Sequence, residues 1–250
     1  MPSSNLSSFF DIMEVIHQAR AKSILDVGVG FGKWGVLIRE YFDLRPHKKK
    51  GYDDWSIQLD GIEVHEQYIT PVHKYIYNNI LIGEALKLLS AGNLYYELII
   101  ALDIVEHFTK KDGLEFIKLC RNRGDTVLIN TPDIYFPIEK EFFNDYMQHK
   151  SGWNSEDFIK LGARHVWHSG INVLAVFTER NFDLPLAADL QAPSSEDIDI
   201  VKAKELITMY YNTSQFIECL EACEKYSEYF LYDDDFNQVA AKCRKLIDHQ

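Results

Sequence analysis

Long apolar runs are missing from this 250-residue chain. No stretch reaches the roughly 18 consecutive apolar residues that a membrane-spanning helix needs, and Met1-Pro-Ser-Ser-Asn5 lacks the basic segment and apolar run of a secretory signal. A soluble, cytoplasmic protein with no membrane partner is the expectation. Positive charge is scarce: 26 Lys and Arg stand against 38 Asp and Glu, a formal net charge of −12. So anionic a field repels phosphate backbones and argues against a nucleic-acid partner. Cysteine is sparse too. Cys120, Cys219, Cys223 and Cys243 show no zinc-ligand spacing with nearby histidines. Cys219 and Cys223, four apart, read as two small apolar residues on one helix face, reduced as in a cytosolic protein.

What is present is enough apolar material for a large core: 46% hydrophobic and 13% aromatic residues. Short apolar runs alternate with amphipathic ones, the pattern of a parallel sheet with crossover helices. Strands are predicted at residues 23–27, 57–63, 79–82, 96–102 and 126–130, the last stopped by Thr131-Pro132. A closing hairpin or late strand pair falls within 166–178. Helices are predicted at 32–42 and 113–121, and residues 44–55, with Lys48-Lys49-Lys50, form a polar excursion. Pro185, Pro193 and Ser194-Ser195 mark a linker at 183–196. It separates a main domain (1–182) from a helical extension (197–250). The fold class implied is α/β, a Rossmann-like, doubly wound, mostly parallel sheet with a small all-α C-terminal extension.

The segment Asp26-Val-Gly28-Val-Gly30-Phe-Gly32 follows the first strand and precedes a helix, which makes it a cofactor loop. Glycines there let the backbone turn sharply and approach a ligand. A second register, Gly30-Phe-Gly32-Lys-Trp-Gly35, matches the dinucleotide fingerprint. It starts three residues past Val27, too late for a tight strand-to-helix turn, and Asp26 would repel a pyrophosphate. These points weigh against an NAD dehydrogenase.

Read from Gly28, the loop resembles the first motif of class I S-adenosylmethionine-dependent methyltransferases. The likeness extends over residues 23–178, through Asp60-Gly-Ile-Glu63, Asp103-Ile-Val-Glu106-His107 and the stretch from Tyr146 through His149, Ser151 and Trp153 to Phe158. It resembles in particular the members of that family that act on small molecules or sugars. The resemblance implies S-adenosyl-L-methionine as cofactor, held by Asp26, Gly28, Gly30 and Gly32. It also implies Glu63 toward the ribose hydroxyls, Glu84 toward the adenine amine, and Asp103 beside the reacting sulfur. Ligands of open α/β sheets sit at the edge where these strands end.

Methyl transfer is an in-line displacement in which the cofactor carries the reactive group and the protein positions it. A hydroxyl acceptor gains from a general base of near-neutral pKa, and histidine suits this. His107 and His149, with Asp103, are the candidate catalytic residues. Trp153 is either an acceptor contact or core packing. Asp103, Glu106 and His107 offer the ligands of a divalent cation, like the Glu-x-x-Glu-His cluster of ubiquinone-pathway O-methyltransferases. With Asp in place of the first Glu the reach is shorter, and no metal site is expected. Asn130-Thr-Pro-Asp133 differs from the Asn-Pro-Pro-Tyr of base and amide methylases in both strand and aromatic residue.

The extension is acidic, with 13 Asp and Glu against 6 Lys and Arg from Leu186 to Gln250. Phe216, Leu220 and Cys223 follow a helical period, and Asp233-Asp-Asp235 stands where a further helix would start. The pattern, with Ala203, Tyr210-Tyr211 and Leu220-Glu-Ala222, resembles one tetratricopeptide-type helical pair. One unit cannot bury its own apolar face, so it should pack on the main domain or pair with a second copy of the chain. The functional expectation is a methyltransferase for a small-molecule or sugar hydroxyl or amine, such as a surface-polysaccharide precursor. The alternative is a non-catalytic, cofactor-binding scaffold that recruits a partner through this tail.

Overall fold

In a computed structural model of the chain, the described residues are 8–44, 55–92, 94–133, 146, 148–169, 172–182, 184, 207, 215–225 and 234–248. Most of the polar excursion, nearly all of the linker, and Tyr210-Tyr211 lie outside them.

Seven strands form one sheet: β1 (Ser23–Val27), β2 (Gln58–Glu63), β3 (Asn79–Ile82), β4 (Tyr96–Leu102), β5 (Gly124–Pro132), β6 (His165–Ser169) and β7 (Asn172–Thr178), in the order β3-β2-β1-β4-β5-β7-β6. β1 to β5 are parallel, and β7 runs antiparallel to both β5 and β6. This is the Rossmann-like, doubly wound α/β fold. The strand order reverses between β1 and β4, so the two loops leaving those strands flank a switch point, where such sheets bind ligands.

The helices are α1 (Phe9–Ala19), α2 (Lys33–Ile38), α3 (Pro71–Ile76), α4 (Ala85–Ala91), α5 (Lys110–Arg123), α6 (Ser155–Lys160), α7 (Phe216–Lys225) and α8 (Asp234–Asp248). Two apolar clusters cover the sheet faces: one joins Ile12 and Ile16 of α1 to Ile24, Leu98 and Leu128, the other joins Phe116 and Ile117 of α5 to Val27, Ile99 and Val127. Strands buried on both sides need such near-continuous apolar runs.

Three boundaries differ from those read in the sequence. β5 continues through Thr131 to Pro132, because proline at the last strand position forfeits no interior ladder bond. α5 begins at Lys110 instead of 113, capped by the Thr109 hydroxyl, which accepts from the Asp112 N–H. α2 runs on as a π-helical segment, Arg39–Leu44. Arg39 is buried there, with its guanidinium on Asp43 (2.9 Å), on the Ile57 and Ile76 carbonyls (2.6 and 2.8 Å) and over the Trp55 ring. That fastening joins the π-helical continuation of α2 to the start of β2.

At the far side, Asn172 pairs with Pro132 and Thr178 with Thr126. The chain therefore leaves the sheet at the amino edge of the parallel strands. Farther along, α7 and α8 pack on one another, with Cys219, Cys223 and Cys243 buried. Among the described residues no helix is long and apolar enough to cross a membrane.

Candidate active site at the carboxyl edge of the sheet

The glycine loop takes its shape from backbone conformations that L side chains resist. Gly28, Gly30 and Gly32 all have positive φ, at 80°, 51° and 85°, so the alternation of the motif is an alternation of left-handed residues. Gly28 and Val29 N–H groups both donate to the Ile62 carbonyl (2.8 and 3.2 Å), which hangs the loop on the end of β2. A Cβ on Gly28 would lie 2.1 Å from Ile104 Cδ1.

Glu63 closes β2 and is buried. Its carboxylate accepts from the Gly30 N–H (3.0 Å) and the His65 N–H (3.0 Å), so it bridges the glycine loop and the turn after β2. A carboxylate accepts about four hydrogen bonds, and capacity for a ligand's hydroxyls is left. Sequence reading missed a second brace. The Thr70 N–H donates to His73 Nδ1 (3.1 Å), which puts the ring proton on Nε2, and Nε2 donates to the Gly30 carbonyl (2.9 Å). The signal was a helix start, Thr70-Pro71 with His73 two residues on.

Asp26 lies one residue inside β1, and its buried side chain accepts from the Tyr77 hydroxyl (2.6 Å) beneath the loop. Burial pushes its pKa up to about 7, against the Tyr77 hydrogen bond, and nearby Glu63 adds to the rise. Glu84 follows β3, precedes α4 and pairs with Lys87 at a half-exposed position.

Asp103 follows β4 with φ 57°, a conformation uncommon for a non-glycine residue and concentrated at functional sites. The side-chain amide of Asn130 on β5 donates to its Oδ1 (2.7 Å), and its own N–H donates to the Asn130 carbonyl (2.8 Å). Lys33 at the start of α2 feels the Asp103 charge, although burial holds its pKa below the ordinary lysine value.

The two candidate histidines come together. His107, in the turn Val105–His107, and His149 have ring centroids 5.0 Å apart. The His107 Nδ1 lies 3.3 Å from the Gln148 carbonyl. Burial pushes its pKa down to about 4, which makes it a neutral ring at pH 7 and a weak proton acceptor. Glu106 joins them: ligand atoms of Glu106, His107 and His149 all lie within 4.8 Å of one another. The cation set read from the sequence, Asp103 with Glu106 and His107, is therefore not the one the fold assembles, because Asn130 holds Asp103 in its own turn. Trp153 is core: it is buried, stacks on Phe158 and fills the space beside Gly113, where a Cβ would lie 2.5 Å from its ring.

No protein-family model matches the chain, and no curated protein does. Solved structures do. An S-adenosylmethionine-dependent methyltransferase from Archaeoglobus fulgidus is 19% identical, with 64% of this chain and 71% of that one covered and a TM-score of 0.44. Magnesium protoporphyrin IX methyltransferase from Synechocystis PCC 6803 is 9% identical (68% and 76% covered, TM-score 0.46). The N-terminal domain of EvdMO1, crystallised with S-adenosylhomocysteine and D-fucose, is 10% identical (72% and 85%, TM-score 0.49). Likeness at this level concerns fold class alone.

Proposed function

We propose that the chain is an S-adenosylmethionine-dependent methyltransferase acting on a hydroxyl or amine of a small-molecule or sugar acceptor. The observation that carries this reading is the loop: three glycines, all left-handed, with Gly30 bonded through its N–H to the Glu63 carboxylate at the end of the neighbouring strand. Bound there, the cofactor supplies a methyl group on a positively charged sulfur, which an acceptor oxygen or nitrogen attacks in line. Carboxylates suit a cationic ligand, and Glu63 at the end of β2, Glu84 after β3 and Asp103 after β4 stand at this edge. Glu63 takes the ribose hydroxyls, Glu84 the adenine amine, and Asp103 is held by Asn130 facing the sulfur. Burial has made His107 a weak proton acceptor, so the general base is assigned to His149.

Isothermal titration with S-adenosylhomocysteine tests the reading. Saturable one-to-one binding is expected, and NADH should not bind. Gly28→Ala should weaken binding about tenfold or more, since an L residue in the left-handed region costs roughly 1–2 kcal/mol and its Cβ would meet Ile104. Absence of binding by the unaltered chain removes the proposal. Methyl transfer to a panel of sugar nucleotides and metabolites then separates an enzyme from a scaffold that recruits partners through α7 and α8.

A further inference from the structure

The outer end of the sheet carries a constellation that methyl transfer does not use. Pro132, Asn172 and Ser169 stand level across β5, β7 and β6. Asp133, one residue past β5, therefore meets His168, one residue before Ser169 on the outermost strand. Helix α6 begins with Ser155 against the same strand. His168 links the other two side chains. Its Nδ1 lies 3.2 Å from Asp133 Oδ2, and its Nε2 lies 2.9 Å from Ser155 Oγ.

A carboxylate only accepts, so the proton of the neutral ring sits on Nδ1 and the Nε2 lone pair faces the hydroxyl. Hydroxyl, imidazole and carboxylate in this order, each within hydrogen-bond reach, are the signature of an activated nucleophile. Asp133 holds the His168 pKa above its ordinary value, against partial burial, which strengthens the base. A serine at a helix start is commonly a cap, but here Asn154 does that work. Its Oδ1 accepts from the Asp157 N–H (3.0 Å), and its own N–H donates to Asp157 Oδ2 (3.1 Å). Lys110 Nζ clamps the same carboxylate (2.7 Å). The turn is thus fixed while the Ser155 hydroxyl faces His168, and His168 is 57% exposed, so a ligand reaches the pair from solvent.

We infer that Ser155 is a nucleophile that takes the acyl group of small activated carboxylic esters, with His168 as its base and Asp133 as the positioning residue. Ser155 Oγ bonds to the ester carbonyl carbon while His168 Nε2 takes the hydroxyl proton. The bond from that carbon to the alcohol oxygen then breaks, and the alcohol leaves with the proton from His168. Water, deprotonated by the same nitrogen, releases the acid and restores the serine. General-base assistance of this kind contributes about a hundred- to ten-thousandfold. This site is independent of the methyltransferase reading.

The test mixes the full chain, without cofactor, with p-nitrophenyl acetate. Release of p-nitrophenol is followed by absorbance, and the acetylated peptide is located by mass spectrometry after acid quenching. Acetyl on Ser155 is expected. Ser155→Ala should remove that adduct, and His168→Ala should slow its formation about a hundredfold or more. Asp133→Asn should slow it about tenfold or more, as loss of the orienting carboxylate does in such triads, and Asp133→Glu should recover part of that loss. Asn154 keeps the helix capped in Ser155→Ala, and thermal unfolding of each variant checks the fold without recourse to any ligand. Acetyl only on other side chains overturns the assignment, as does an undiminished rate in His168→Ala or Asp133→Asn. So does an unaltered chain that releases p-nitrophenol no faster than Ser155→Ala and carries no acetyl on Ser155.

Discussion

The two sides of the switch point are built differently. On the β1–β2 side, the geometry is a property of backbone: left-handed glycines, a carboxylate one strand away, and helix α3 propping the loop through His73 and Tyr77. On the β4–β5 side it is a property of convergence, with side chains from three separated segments drawn together by carbonyl hooks at Glu106 and Phe108. The first side invests in rigidity before any ligand arrives. The second brings together groups whose value lies in what they contact. Damage to the first should show as lost stability, and damage to the second as lost chemistry.

The largest expected effect tests the rigid side. Arg39→Met leaves the buried Asp43 carboxylate without its guanidinium, and breaking a buried pair in this way costs about 3–5 kcal/mol. Urea unfolding should show the midpoint falling by a corresponding amount, whereas His149→Ala should shift it little. Equal losses from both variants would erase the contrast.

Next in size is a pH effect. The Asp26 pKa is raised from its ordinary 3.8 to about 7. The folded state thus holds a proton that the unfolded chain releases, and this stabilisation is complete below about pH 4 and lost as pH rises through about 7. A rise of that size corresponds to a loss on the order of 4 kcal/mol. Asp26→Asn should remove that slope, read as the difference in Tm between the two proteins from pH 4 to 8; parallel curves would refute it.

The smallest effect sharpens the convergent side. Ser151 Oγ donates to the Phe108 carbonyl (2.8 Å) and accepts from Trp153 Nε1 (2.9 Å). Ser151→Ala should cost only about 1–2 kcal/mol by thermal unfolding yet lower methyl transfer disproportionately, because it loosens the segment carrying His149. A drop in Tm with unchanged turnover would mean that this anchor serves the fold alone.

Legibility follows the same division. Strands β1 and β4 are readable to the residue, since strands buried on both faces must be apolar and short; β3, a partly exposed edge strand, is readable from its short apolar run Ile80-Leu-Ile82. Gly28, Gly30 and Gly32 are readable because glycine takes their positive φ values without the penalty that most other residues meet there. His107 and His149 stand out in the sequence, but their meeting with Glu106 does not, because a carbonyl hook involves no side chain and leaves no trace in composition. Trp153 illustrates the opposite difficulty: an aromatic near a polar stretch reads equally as site or core, and the clearance at Gly113 decides for core. Arg39 and His73 escape notice since each works through main-chain carbonyls contributed by distant segments.

The antiparallel course of β7 has a practical side. Because Thr178 lies beside the start of β5, the chain begins its onward path from the rim of the sheet opposite the glycine loop. A dye or solid support coupled directly to Glu179 or Arg180 is therefore attached on that rim, away from the ligand-facing one.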